Sequence, residues 1–287
     1  MAPHTAGTTQ LLREDDVAPV REVNVEGRSP FLLTSDHYGR LLPEQLGSLG
    51  LTAEELTQHI AWDVGIAGVV ERLAITLDAH LIAQRYSRLV IDCNRPPGVA
   101  GSIPVISEAT AIPGNDGIST DERDARRREI FDPYHRCISA AIDRRMHAHH
   151  PTVLVALHSF TPVYAGATRP WHIGALYRQE RRQEKQQEQE RRRDKRHDAI
   201  LPRLLLQHLR AEGDLVVGDN KPYAVSDATD YTIPVHGEAR GLINTGIEIR
   251  QDLIADQSGQ QQWAERLARI LAKIETTLRA ESLAEGI

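Results

Sequence analysis

The stretch Leu154-Val-Ala-Leu-His158-Ser-Phe-Thr-Pro162 constrains this chain more than any other. An apolar, β-branched run that ends abruptly in a histidine, small polar residues and a proline predicts a buried strand with an imidazole at its carboxyl end. Open α/β sheets keep their sites at that end. His158 is then either a metal ligand or catalytic base, or a residue that caps a strand by hydrogen bonding. What favours the functional reading is repetition, because three other strand-like runs also end in polar clusters.

A length of 287 residues allows one large α/β domain or two small ones, with a substantial core in either case. The net charge of −6 argues against a general nucleic-acid binder, which needs a net or clustered positive field. No stretch approaches the length of a membrane span, and residues 1–25 lack the apolar core of a secretory signal, so the expected location is cytoplasmic. The two cysteines, Cys93 and Cys137, form no Cys-x-x-Cys pair. That excludes a thiolate zinc site and a disulfide scaffold, and it leaves Cys93 as a small semi-buried filler rather than a nucleophile.

Along the chain, residues 1–28 show no sustained periodicity and are predicted to be a flexible leader. Residues 29–287 follow as one domain. Its first strand, Pro30-Phe-Leu-Leu-Thr34, runs into Ser35-Asp36-His37, where Asp36 either satisfies a turn or orients His37 as an outer partner. Thr52 and Glu55 make a capping box for a helix, and a second helical stretch begins at Asp63. A favourable charge at the helix start would suffice to explain Asp63. The run Arg88-Leu-Val-Ile-Asp-Cys-Asn-Arg95 is predicted as the next strand, with Asn94 and Arg95 projecting beyond it to meet an anion, unless they are ordinary surface groups. Residues 98–118 form a long Gly- and Pro-rich loop, of the kind that serves as a lid. Helix is expected from Thr120 to about His149, and His135, His147, His149 and His150 are expected at its surface.

Residues 178–197 are almost entirely Arg, Lys, Glu, Gln and Asp, which cannot build a core and predict a protruding charged helix. Near the end, Gly246-Ile-Glu-Ile-Arg250 alternates, so Glu248 and Arg250 share a face. A terminal helix from Trp263 to Leu283 closes the chain. The expected architecture is a single three-layer α/β domain with a mixed, mostly parallel central sheet.

The strand-end clusters His37, Asn94-Arg95, His158-Ser159-Phe160 and Glu248-Ile249-Arg250 occur in the order found in the zinc carboxypeptidase superfamily. Several blocks resemble more closely the related N-formylglutamate amidohydrolase family: Asp36-His37, His59-Ile-Ala-Trp-Asp63, Tyr86 to Pro96, His158 to Pro162, Arg169-Pro-Trp171 and Ile247 to Ile254. The resemblance implies a zinc-dependent hydrolase that cleaves the amide of an N-formyl or other N-acyl amino acid. It implies Zn²⁺ held by His37, His158 and a third ligand. Carboxypeptidases take that ligand three residues after the first histidine, where this chain has Arg40, so Asp63 is the expected substitute and Glu44 the alternative. Glu248 would be the general base. Arg95 with Asn94, and Arg88 or Arg250, would hold the substrate carboxylate. The contrasting expectation is a non-catalytic module whose charged arm binds a protein or RNA partner, or a second copy of itself. Serine hydrolase chemistry is disfavoured because His158-Ser159 lacks the Gly-x-Ser-x-Gly elbow.

Overall fold

A computed structural model describes residues 10–178 and 200–285. In chain order its first strands are β1 (Val20–Val23), β2 (Phe31–Ser35), β3 (His80–Gln84), a small hairpin of β4 (Ile106–Ser107) and β5 (Thr110–Ala111), and β6 (Val153–Phe160). A second hairpin follows, β7 (Val163–Tyr164) with β8 (Ala167–Thr168), and then β9 (Ile173–Leu176), β10 (Val217–Asp219) and β11 (Ile243–Arg250). The helices are α1 (Ile66–Thr76), α2 (Thr120–Arg126), α3 (Asp132–His147), α4 (Ile200–Ala211) and α5 (Gln257–Glu285).

Seven strands form one sheet in the order β1-β3-β2-β6-β11-β9-β10. The four middle strands are parallel, β1 runs antiparallel to β3, and β9 runs antiparallel to β11. The sheet is therefore mixed and mostly parallel. Every residue of β6 is buried, as a strand covered on both faces requires. On one face Phe31, Leu33, Val155, Leu157, Ile247 and Ile249 pack against α1, α4 and α5. On the other, Leu32, Ile82 and Leu154 pack against α3 and the buried loop at residues 86–93.

The chain's order around β2 fixes where a site can form. From β2 the chain crosses by way of α1 to β3 on one side, and from β3 by way of α3 to β6 on the other. Those two crossovers lie on opposite faces of the sheet. A crevice therefore opens between the carboxyl ends of β2 and β6, the topological switch point of the sheet. His37 lies just past the end of β2, and His158 lies on β6 in register with Glu248 of β11. Strand alternation turns His158 and Glu248 to the face away from α1, α4 and α5.

Several expectations change. Residues 20–23 are an edge strand of the sheet, and Leu11 is buried, its backbone N–H and that of Leu12 donating to Glu129. The expected flexible leader is thus tied down from residue 10 onward. The run at 88–95 is no strand but a series of buried turns. Side chains satisfy its backbone there: Asn115 donates to the Leu89 carbonyl at 2.8 Å and Arg126 to that of Val90 at 3.0 Å. The neighbouring strand is β3 instead. The Thr52–Glu55 capping box is made, yet it starts only a single 3-10 turn, Glu55–Thr57. His135 is buried, whereas His147 and His149 are exposed as expected. The charged arm falls outside the described residues except for Arg178. No helix is long and apolar enough to cross a membrane among the described residues.

Candidate metal centre and active site

His37, Asp63 and His158 converge at the switch point although they are far apart in sequence. One donor atom from each lies within 4.8 Å of the others, all three residues are buried, and together they form a group that could hold a metal ion. The Asp63 carboxylate lies between the two rings, with Oδ2 at 3.0 Å from Nδ1 of His158 and 3.5 Å from Nδ1 of His37. The loop before α1 delivers it, and the backbone N–H of Ser159 donates to the same oxygen at 3.1 Å.

Each ring is held from behind by a second buried carboxylate. Nε2 of His37 is 2.8 Å from Asp92 Oδ1, and Nε2 of His158 is 3.2 Å from Asp36 Oδ2. On His37 an Nε2–H donated to Asp92 leaves Nδ1 as the inward-facing atom, and on His158 the contact of Nε2 with Asp36 likewise leaves Nδ1 facing Asp63, the carboxylate–histidine arrangement of metal sites. Without a cation those Nδ1 lone pairs would face Asp63 Oδ2, an acceptor against an acceptor, unless both rings took a second proton. Burial opposes charge on His158, yet hydrogen bonds to Asp36 and Asp63 raise its pKa well above the usual imidazole value. Burial likewise opposes ionisation of Asp63, and the two rings nevertheless hold its carboxyl below its usual range. Two neutral imidazoles and one carboxylate suit a catalytic zinc site with an open position, so the donor set fits the ion implied by the sequence.

The carboxylates behind the rings have their own supports. Arg88 Nη2 lies 2.7 Å from Asp92 Oδ2 and its Nη1 lies 3.6 Å from Asp63 Oδ1. The Thr232 hydroxyl donates to Asp36 Oδ1 at 2.5 Å. Burial opposes ionisation of Asp92, but Arg88 and His37 hold its carboxyl well below the ordinary carboxylate range. Asp36, placed by sequence next to His37, therefore orients His158 instead. Asp92, which takes the His37 position, was hidden in the run read as a strand.

A cavity of about 690 Å³ opens over this centre. Glu248 lines it, is 6% exposed, and its Oε2 has no hydrogen-bond partner. Burial is the main cause that raises its pKa to about 7, with the nearby His158 charge acting in the opposite direction. Arg88, Asn94 and Arg95 also line the cavity. Asn94 spends its side-chain oxygen on the backbone N–H groups of Tyr231 and Thr232, while Arg95 donates to the Thr229 carbonyl at 2.9 Å. Cys93 is buried against Gln84, and burial pushes its thiol well above the ordinary value, as befits a filler.

Two expected residues lie elsewhere. Arg250 is not among the residues that line the cavity. It pairs with Asp252 at 2.7 Å and donates to the Pro170 carbonyl at 3.3 Å, because β11 ends there and its last side chain is captured by the following turn. Glu44 is two-thirds exposed and pairs with Arg13 at 2.7 Å, so it is no alternative to Asp63. Tyr223 had no expected role, yet it lines the cavity, and Arg169 donates to its hydroxyl oxygen at 2.8 Å. That leaves the tyrosine's own proton free for another acceptor. Nothing in its own stretch of sequence signals it, since its partner Arg169 lies 54 positions earlier in the chain.

Comparison with known proteins agrees with this architecture. A solved gene product of Agrobacterium tumefaciens is similar at 35% identity and a TM-score of 0.84, covering 94% of this chain and 100% of that one. The N-formylglutamate amidohydrolase of Ralstonia eutropha shares the fold at a TM-score of 0.64 and 18% identity, over 92% of this chain and 100% of that one. The N-formylglutamate deformylase of Pseudomonas putida is 33% identical over 129 residues, 42% of this chain and 47% of that protein. The match thus spans about half the length of that curated relative. The sequence model of one family, described as N-formylglutamate amidohydrolase, matches residues 29–255. The chain belongs to the N-formylglutamate amidohydrolase family.

Proposed function

We propose that this protein is a zinc-dependent amidohydrolase that removes the formyl group from an N-formyl amino acid. The observation that carries the reading is the convergence of His37, Asp63 and His158 beneath a cavity into which an unpartnered, buried glutamate is exposed. A bound zinc ion would supply Lewis acidity, lowering the pKa of water and polarising the formyl carbonyl. Glu248 takes a proton from the attacking water as its oxygen bonds to the formyl carbon. It returns that proton to the amide nitrogen as the C–N bond breaks, releasing formate and the free amino acid. A carboxyl whose pKa is near 7 is suited to both halves of that exchange. Arg95 receives the substrate α-carboxylate, and Arg88 fixes the two carboxylates that shape the metal centre. We read residues 29–287 as one catalytic domain with 178–197 as an insertion, working in the cytosol on a small N-acyl amino acid.

The test is metal analysis combined with formate release. Glu248→Gln should retain zinc while turnover falls roughly 10²- to 10⁴-fold. His158→Ala should lose the metal itself. A Glu248→Gln protein with parental turnover refutes the base, and full zinc content in His158→Ala removes that ring from the ligand set.

A further inference from the structure

Behind the aromatic part of the cavity wall sits a cation that the proposed reaction has not yet used. Arg169 is 9% exposed, and no carboxylate pairs with it among the described residues. Its guanidinium carbon lies 4.4 Å from the ring centroid of Tyr164, 4.9 Å from that of Tyr223 and 6.0 Å from that of Phe160, three residues that line the cavity. Ring faces attract a guanidinium without neutralising it. A buried charge with no counter-ion is costly, so its positive potential is left for an anion that enters the cavity. Lys221, nearby in the same wall, faces the Trp171 ring instead, 5.9 Å from its centroid.

One hydroxyl carries the Arg169 charge into the cavity. Arg169 Nη1 donates to the Tyr223 oxygen at 2.8 Å, and the Tyr223 O–H has no acceptor among the described residues. A phenol that accepts from a cation is a stronger donor through its own proton. Both partners are fixed from the backbone. The Arg169 N–H donates to the Pro162 carbonyl at 2.8 Å, and the Asn220 N–H donates to that of Ala175 at 3.0 Å. A Cβ at Gly174 or Gly218 would strike the Lys221 carbonyl, so these glycines of β9 and β10 let the segment before Tyr223 lie against the sheet. Burial raises the Tyr223 pKa above the ordinary phenol value, Glu248 adding to the rise while Arg169 and Arg88 oppose it. The phenol therefore keeps its proton at neutral pH. Apart from Arg169, the charges that act most on it are Glu248 and Arg88, at the reacting centre, and not Arg95. New negative charge arises at that centre on the formyl oxygen, as water adds to the formyl carbon.

We propose that Tyr223 is a catalytic hydrogen-bond donor to the formyl oxygen, and that Arg169 is a positioning residue that aims and strengthens this donor. The inference rests on the deformylase reading. As the water oxygen bonds to the formyl carbon, the carbonyl π pair moves to the formyl oxygen, and the Tyr223 O–H, keeping its proton, holds that oxygen more tightly. When the C–N bond breaks, the pair returns to form the C=O of formate and the added strength is lost. The help is greatest in the transition state, so it is felt in kcat.

The experiment measures formate release from N-formyl-L-glutamate by the zinc-loaded full chain. Tyr223→Phe should keep its zinc and lose roughly 10²- to 10³-fold in kcat, the usual effect of removing one such donor, with KM moved by less than about threefold. A raised KM with kcat preserved would make the tyrosine a holder of bound substrate and overturns the inference, as does a parental kcat. Either result leaves the deformylase reading intact, whereas a parental protein that releases no formate overturns both. Arg169→Met should lower kcat as well, and the double variant should lose no more than about twofold beyond Tyr223→Phe, because the two residues act as a unit. Losses that multiply overturn the positioning role. Calorimetry reads binding without turnover: N-formyl-L-glutamate should bind Glu248→Gln and the Glu248→Gln, Tyr223→Phe double variant with Kd values within about threefold of each other. A Kd weakened further by loss of the hydroxyl refutes a donor that acts in the transition state.

Discussion

At the scale of residues, the centre depends on groups that would never touch a substrate. The ring of His37 has a fixed tautomer only because Asp92 accepts its Nε2–H, and Asp92 stays ionised when buried only because Arg88 and His37 face it. Removing such an outer carboxylate leaves all three donors in place but lets one ring rotate and lowers its basicity. Asp92→Ala should therefore weaken zinc affinity by roughly 10- to 100-fold, the usual effect of losing such a partner. Competition with a chromophoric chelator measures this directly. Affinity equal to the parent's would mean that the His37 ring is held by packing alone.

At the scale of elements, α3 and the turn at Ile233–Gly237 are joined by two buried histidines outside the metal centre. His135 Nε2 lies 2.8 Å from the Cys93 carbonyl, and its Nδ1 lies 2.9 Å from Nε2 of His236, whose Nδ1 faces the Ser139 hydroxyl at 3.5 Å. With both rings neutral, every contact has one donor and one acceptor: Ser139 to His236, His236 to His135, His135 to the carbonyl. Burial lowers the His135 pKa to about 4, and burial together with the neighbouring ring lowers that of His236 to about 3. The unfolded chain titrates near 6.5, so below that pH it binds protons that the folded chain refuses. The stability these rings contribute is whole above about pH 6.5 and declines as pH falls towards 4. Between pH 7.5 and 5 the loss should be about 2 kcal/mol per ring. Urea unfolding at the two pH values tests this, and His236→Gln should reduce the pH dependence. An undiminished slope in that variant would assign the acid sensitivity to other groups.

The same elements show what could be read from letters. Strand β6 was legible because an uninterrupted apolar run ending in His158 has few other solutions in an α/β sheet. Strand β11 was legible through its alternation. Leu89–Ile91 looked equally strand-like, yet its hydrophobicity serves the contact with α3, while Ser87, Asn115 and Arg126 take the place of a ladder. Local pattern reports burial there, not backbone conformation. Which carboxylate meets which ring was likewise invisible. Asp36 adjoins His37 in sequence but reaches His158, because the chain turns at the end of β2 and β6 runs alongside. His135, expected at the helix surface, is buried instead, because the partner that satisfies its ring lies 101 residues away.

At the scale of the whole molecule, a bound ion would tie together segments that folding alone brings near. Its donors come from the end of β2, the loop before α1 and strand β6, with a sequence separation of 95 between Asp63 and His158 alone. An unfolded chain holds those donors too far apart for the ion to bridge them, so the proposed zinc would bind the folded state alone and stabilise it by mass action. At a free zinc concentration about 100 times the dissociation constant, the gain is about 2.7 kcal/mol. For a domain of this size each kcal/mol raises Tm by roughly 2–4 °C, which predicts an increase of about 5–10 °C. Differential scanning calorimetry with and without zinc, and after chelation, gives the shift. His158→Ala should melt at a temperature indifferent to zinc, whereas the Glu248→Gln variant should retain the full increase because its carboxyl lies outside the donor set. A parental Tm unmoved by zinc would mean that the three buried donors, close as they are, hold protons rather than a metal.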